Sequence, residues 1–71
     1  MTKLGEYLNQ KSINKSDVSR KTGISKARLS ELATKASARL RAEELYVIAL
    51  AIDVNPCDML NALYSELKER F

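Results

Sequence analysis

KTGISKARLSEL, residues 21–32, places a glycine between two segments that both have helical spacing. Gly23 can adopt a positive φ without steric cost, as the residue that follows a helix often must. Ser25 is a good N-cap for the next helix, in which Leu29 and Leu32 share one face. Two short helices joined by so tight a turn form a helix-turn-helix, whose second helix protrudes and can enter the major groove of DNA.

Helical spacing continues on both sides of this pair and predicts five helices, over residues 2–11, 15–22, 26–35, 42–52 and 56–70. No segment alternates β-branched or aromatic residues with polar ones, so we expect no strand. The fourth helix is apolar on nearly every side, which predicts a place at the centre of the bundle. We therefore predict an all-α fold: a compact five-helix bundle forming a single domain over residues 1–71, with the helix-turn-helix at about residues 14–35.

The charge of the chain is concentrated in its middle. The net charge is only +3, but residues 11–41 contain nine lysines and arginines against two acids, which makes that segment +7. The remaining residues hold three cations and seven acids, a charge of −4. Such segregation favours a nucleic-acid-binding surface over the alternative, a solvated face on a basic protein.

The composition gives no support to catalysis. Histidine, the commonest general base and metal ligand, is absent, and there is no glycine-rich phosphate loop. We expect no enzyme activity, no cofactor, no metal and no small-molecule ligand.

Nothing in the sequence predicts a membrane or secreted protein. One cysteine cannot form an internal disulfide, no stretch approaches the roughly 18–20 apolar residues of a membrane span, and MTKLGEYLNQ has no apolar signal-peptide core. We expect a cytoplasmic protein in which Cys57 is a buried small hydrophobic residue.

Two stretches resemble one family of DNA-binding domains. INKSDVSRKTGISKARLSEL, residues 13–32, resembles the helix-turn-helix of the lambda-repressor-like, Cro-type (XRE) family, and ALAIDVNPCDML, residues 49–60, resembles that family's turn between the last two helices. The resemblance spans about residues 3–63. It implies a five-helix domain that binds double-stranded DNA, commonly as a dimer, and regulates transcription. Lys35 and Asp53 stand where relatives often have glycine, so the loops after these helices are expected to differ.

The resemblance, with the exposed face of the third helix, implies roles for individual residues. The recognition helix would be residues 26–35, and Arg28 is the best candidate for a two-bond contact with guanine. The expected base-contacting residues are Ala27, Arg28, Ser30, Glu31 and Thr34. The expected phosphate-contacting residues are Asn14, Lys15, Ser25, Lys26, Lys35, Arg39 and Arg41.

Other functions remain open at this point. Arg28, Glu31 and Lys35 have the spacing of ion pairs on an exposed helix. A helix-turn-helix scaffold can also be a protein-interaction module, such as an antitoxin-like or adaptor domain, because fold does not determine function. A structural oligomerisation domain built on the last helix is a third reading, but it does not explain the basic middle segment.

The last helix carries two apolar stripes, where packing on a small bundle needs only one. Met59 and Leu63 are placed for the core. Leu60, Tyr64, Leu67 and Phe71 form the second stripe, which predicts a homodimer through the dimerisation helix 56–70. The alternative is that this second stripe closes the monomer's own core against the first helix.

Overall fold

A computed structural model describes all 71 residues. It contains five α-helices, a short C-terminal 3₁₀ helix and no strand, which confirms the all-α prediction. The helices are α1 (Lys3–Gln10), α2 (Lys15–Thr22), α3 (Lys26–Thr34), α4 (Ala42–Ala51) and α5 (Pro56–Tyr64), and the 3₁₀ helix is Ser65–Arg70. None of these helices has the length and apolar character needed to cross a membrane.

Local capping explains where the helices begin. The side chains of Thr2, Asn14, Ser25 and Asn55 each accept a hydrogen bond from a backbone N–H in the first turn of the helix that follows. Such bonds satisfy donors that would otherwise lack an intrahelical partner. Four of the five helix starts are therefore encoded by single polar residues.

Each of the five helices contributes side chains to one core. α1 packs on α3 and α5, α2 packs on α3 and α4, and α4 packs on α5. Met59 and Leu63 are both in the core, as predicted. The buried cluster consists of Leu4, Leu8, Val18, Leu29, Leu32, Leu45, Ile48, Ala49, Met59 and Leu63.

Three predictions about the C-terminal half were wrong. α4 is not enclosed, because its packing on α2 and α5 leaves Tyr46 54% and Leu50 53% exposed. Cys57 is exposed, because it points away from the side of α5 that carries Met59 and Leu63. The α-helix expected to continue to residue 70 ends at Tyr64, where the backbone leaves helical geometry (φ −122°, ψ 22°) and continues as the 3₁₀ helix.

The start of α1 supports the end of α3 by a contact that the sequence did not indicate. The Thr2 backbone N–H donates to the Ala33 carbonyl (2.9 Å), and the Thr2 hydroxyl donates to the Leu32 carbonyl (2.7 Å). Gly5 is buried here, and a Cβ on it would collide with the Ala33 carbonyl oxygen. The lack of a side chain at Gly5 is what lets α1 approach α3 this closely.

Candidate nucleic-acid interface

The turn between α2 and α3 is held by hydrogen bonds between residues two or three apart in the sequence. Gly23 ends α2 with φ 81°, in the left-handed region, as predicted. The Ile24 N–H donates to the Thr22 hydroxyl (3.2 Å), and the Arg28 N–H donates to the Ser25 hydroxyl (3.1 Å). Because these bonds join neighbouring residues, the local sequence determines where α3 starts. The outer face of α3 is exposed to solvent.

Four of the five predicted base-contacting residues lie exposed on α3: Ala27, Ser30, Glu31 and Thr34. The Thr34 hydroxyl donates to the Ser30 carbonyl one turn earlier (2.6 Å), so only its oxygen lone pairs remain available. The Glu31 carboxylate forms no ion pair, which argues against the interpretation of Glu31 as part of a surface ion-pair network.

The predicted phosphate-contacting residues lie at the start of α2, at both ends of α3 and in the connection to α4. Lys15 is half-buried, and Asn14, Ser25, Lys26, Lys35, Arg39 and Arg41 are exposed. Asn14 and Ser25 use their side-chain oxygens as caps, which leaves the Asn14 amide N–H groups and the Ser25 hydroxyl proton available.

The cations of the basic segment differ in what they already contact. Lys15, Lys26, Lys35 and Arg39 form no ion pair, and Arg41 only approaches Glu43 at 3.9 Å. In α2, by contrast, the Arg20 guanidinium contacts Asp17 (3.3 Å) and the Lys21 amine donates to the Ala51 carbonyl (3.4 Å). Charge counting along the sequence could not separate these groups. Three of the cations without an ion pair, Lys26, Lys35 and Arg39, lie at the two ends of α3 and in the connection that follows it. Lys11 also forms no ion pair but lies over the Tyr7 ring.

Arg28, the fifth predicted base-contacting residue, is held against α4. Its Nε and Nη2 groups donate to the two carboxylate oxygens of Glu44 at 3.0 and 3.1 Å, and Nη2 also donates to the Arg39 carbonyl at 2.8 Å. The side chain is 30% exposed, but its Nε and Nη2 N–H groups are already used in these hydrogen bonds. Arg28 therefore does not share the open environment of the other four residues.

Glu44 is a functional candidate that sequence reasoning missed. Hydrogen bonds from Arg28 hold the pKa of Glu44 below its usual range, with a smaller contribution from the backbone N–H of Arg41 (2.9 Å). The same contact raises the pKa of Arg28. The only sequence signal was the three-residue spacing from Arg41 to Glu44, which fits the second half of a capping box.

The predicted dimer stripe is solvent-exposed. Leu60, Tyr64 and Leu67 are between 40 and 47% exposed, and Phe71 is fully exposed. None of the four belongs to the buried core cluster, although Tyr64 lines a surface pocket together with Leu4 of α1. Because α5 ends at Tyr64, the four side chains come from an α-helix and the following 3₁₀ helix rather than from one continuous helix.

Residues 3–63 match the family model for the Cro/C1-type HTH DNA-binding domain. No curated protein and no solved structure matches the chain. The matched span begins at the first residue of α1 and ends within α5. It contains the whole helix-turn-helix and the connection to α4, and it leaves out the 3₁₀ helix.

Proposed function

We propose that this chain, which belongs to the Cro/C1-type HTH DNA-binding domain family, is a sequence-specific regulator of transcription. In this proposal residues 1–71 form a single DNA-binding domain, and α3 enters the major groove of double-stranded DNA. The observation that carries it is the set of unpaired cations, Lys15, Lys26, Lys35 and Arg39, around an exposed helix that follows a tight turn. Phosphates flank the groove that such a helix enters, so cations placed there have partners on both sides.

Base discrimination is assigned to the open face of α3. The Glu31 carboxylate can accept from cytosine N4, the Ser30 hydroxyl can bond several base edges, and the Ala27 methyl can contact a thymine methyl. Thr34 lies one turn further on and would meet the edge of the site. A good contact of this kind is worth roughly 1–3 kcal/mol of discrimination against the wrong base.

Backbone positioning is assigned to the predicted phosphate set. Lys26 lies in the first turn of α3, where unsatisfied N–H groups and the helix dipole also favour an anion. Asn14 and Lys15 approach the backbone from the start of α2. Arg39 and Arg41 follow it from the connection, which carries no acid between residues 35 and 41.

The proposed assembly on DNA is a homodimer through Leu60, Tyr64, Leu67 and Phe71. Two copies related by a two-fold axis would place their recognition helices in successive major grooves, roughly 34 Å apart. The support is the exposed apolar stripe itself, since an 8.0 kDa domain gains little by leaving large hydrophobic side chains in water.

A second candidate function is a protein-interaction module built on the helix-turn-helix scaffold. Its support is the outer face of α4, where Tyr46 and Leu50 lie one turn apart and are both more than half exposed. This candidate predicts that the exposed face of α3 tolerates substitution, whereas the DNA-binding proposal predicts that it does not.

Selection of bound sites from a random duplex library separates the two candidates. We expect the wild-type chain to enrich a motif with two half-sites, and Glu31→Gln to change the preferred base at one position of each half-site. Glu69→Gln is the matched control, because it makes the same chemical change on an exposed carboxylate of the 3₁₀ helix and should leave the motif unaltered. A library in which nothing is enriched would refute the DNA-binding proposal.

A further inference from the structure

The hydrogen bonds of Arg28 limit what else its side chain can bind. A guanidinium has five N–H donors, and three of them are used: Nε and one Nη2 proton on Glu44, and the other Nη2 proton on the Arg39 carbonyl. Only the two protons of Nη1 remain, and these diverge from each other. A two-bond contact with guanine needs two donors aimed the same way, so it requires Arg28 to leave Glu44.

Leaving Glu44 would be unfavourable for the folded protein. The Glu44 side chain is only 13% exposed, and Arg28 supplies two of its three hydrogen bonds. A carboxylate in that position without its guanidinium would have lost most of its water and its main partner. The free energy gained at a base would have to exceed this loss before Arg28 could read sequence.

The same atoms hold the connection that carries two predicted phosphate-contacting residues. The Glu44 carboxylate accepts from the Arg41 N–H (2.9 Å), and Arg28 donates to the Arg39 carbonyl (2.8 Å). Within residues 35–41 the only internal backbone hydrogen bond joins the Ala38 N–H to the Lys35 carbonyl. We call Arg28, Glu44 and the two bonded backbone groups of Arg39 and Arg41 the Arg28 clasp.

We propose that Arg28 is a positioning residue and not a base-contacting residue: through the Arg28 clasp it orients the connection so that the side chains of Arg39 and Arg41 meet the DNA backbone. This inference rests on the proposed function. It moves sequence discrimination away from Arg28 and onto Ala27, Ser30, Glu31 and Thr34. It also gives Glu44, which lies outside the predicted interface, a role in DNA binding.

Two substitutions with opposite effects on charge test the clasp. Arg28→Ala removes a positive charge and Glu44→Gln removes a negative one. If Arg28 acted only through its charge, Arg28→Ala would weaken DNA binding and Glu44→Gln would strengthen it. If the clasp positions the connection, both substitutions weaken binding, by about five- to tenfold on every duplex tested, and the selected motif stays the same.

A third variant separates charge from geometry. Arg28→Lys keeps the charge, but a lysine ammonium cannot span both Glu44 oxygens and the Arg39 carbonyl. We expect it to weaken binding about as much as Arg28→Ala does. Adding Arg39→Gln should make the negative slope of log affinity against log salt shallower by about 0.9 in the wild-type background. In the Glu44→Gln background the slope should change much less, because the contact of Arg39 with phosphate is already lost there.

The outcomes are distinct. Relaxation of one motif position in Arg28→Ala, tighter binding by Glu44→Gln, or wild-type affinity in Arg28→Lys would each overturn the clasp while leaving the DNA-binding proposal standing. Failure of the wild-type chain to enrich any duplex would overturn both. All binding is measured below the thermal midpoint of each variant, which is determined by circular dichroism. If Glu44→Gln does not fold, Arg28→Lys replaces it in the double substitution with Arg39→Gln.

Discussion

Two surfaces of this small domain differ in character. The side formed by the start of α2, by α3 and by the connection to α4 carries unpaired lysines and arginines and has no exposed large hydrophobic side chain. The side formed by the outer face of α4, by α5 and by the 3₁₀ helix exposes six of the seven such side chains. The residues outside the basic middle segment are also acidic overall.

This difference is what the two contacts proposed above, with DNA and with a second copy of the chain, would require. Charged contacts to a phosphate backbone are long-ranged and weaken with salt. Apolar contacts between protein surfaces are short-ranged and depend little on salt. The matched family span, residues 3–63, covers the elements of the first surface completely but stops short of the 3₁₀ helix.

The largest expected effect is the decrease of DNA affinity with increasing salt concentration, which distinguishes the basic surface from the apolar one. With Lys15, Lys26, Lys35, Arg39 and Arg41 on phosphates, each copy of the chain should show a slope of about −4.5 in log affinity against log salt, which is a loss of roughly 500-fold between 50 and 200 mM. Self-association through the apolar side should change little over the same range. Titration of a labelled duplex and sedimentation of the free protein measure the two quantities separately.

Two matched variants locate the salt effect. Lys26→Gln should make the slope shallower by about 0.9, whereas Lys68→Gln, on the exposed 3₁₀ helix, should leave it unaltered. Equal slopes for the two variants would mean that the basic middle segment does not make the contacts assigned to it.

The second prediction concerns the packing of α1 on α3, which supports the basic surface from the protein interior. Gly5→Ala puts a methyl group against the Ala33 carbonyl, so α1 must move away from α3 and the hydrogen bonds of Thr2 must stretch. We expect a loss of about 2 kcal/mol in the free energy of unfolding, net of the better helix propensity of alanine. Urea unfolding followed by circular dichroism measures it.

Gly23→Ala is the matched control for this glycine. A Cβ at Gly23 would meet nothing, but φ is 81°, so the cost is conformational and should be about 1 kcal/mol. If Gly5→Ala proved the milder of the two substitutions, the close packing of α1 on α3 would not be what supports α3.

These two glycines show what the sequence could and could not predict. The role of Gly23 follows from its neighbours, because helix ends and N-caps are local, and α2 was placed correctly at both ends for that reason. The role of Gly5 depends on Ala33, and the Arg28 clasp on Glu44, at separations of 28 and 16 residues. Spacing along one helix carries no information about which other helix lies against it.

The C-terminal half was predicted less well for a related reason. α4 is apolar on nearly every side, so its pattern cannot say which side is buried, and Tyr46 and Leu50 lie on the open side. Helical spacing continues past Tyr64, although the α-helix does not. Sequence patterns predicted the elements and the core well, and the surfaces between elements poorly.

The third prediction breaks the apolar side. Leu67→Glu places a charge within the stripe proposed to join two copies, and burying that charge without a partner should weaken dimerisation at least tenfold. We expect wild type to sediment as a dimer at tens of micromolar and Leu67→Glu as a monomer. Ser65→Glu adds the same charge to an exposed residue outside the stripe and should remain dimeric.

A wild-type chain that stays monomeric both at tens of micromolar and on its selected DNA site would end the dimer proposal. The salt dependence of the monomer–DNA complex would then be half of that expected for a dimer bound to two half-sites.

The smallest expected effect concerns pH and the one ion pair that links α3 to α4. Because hydrogen bonds from Arg28 hold the pKa of Glu44 below its usual value of about 4.3, the folded state favours the carboxylate more than the unfolded state does. The stability from this pair is therefore fully present above about pH 5. It is lost as the pH falls through the lowered pKa of the folded state.

Thermal midpoints of wild type and Glu44→Gln should differ at pH 7 and converge as the pH falls below 4, since the amide has no proton to gain. Glu43→Gln, an exposed neighbour on the same helix whose nearest cation is 3.9 Å away, is the matched control and should lower the thermal midpoint at pH 7 less than Glu44→Gln does. A gap between wild type and Glu44→Gln that did not change with pH would mean that the carboxylate's charge is not what secures the connection.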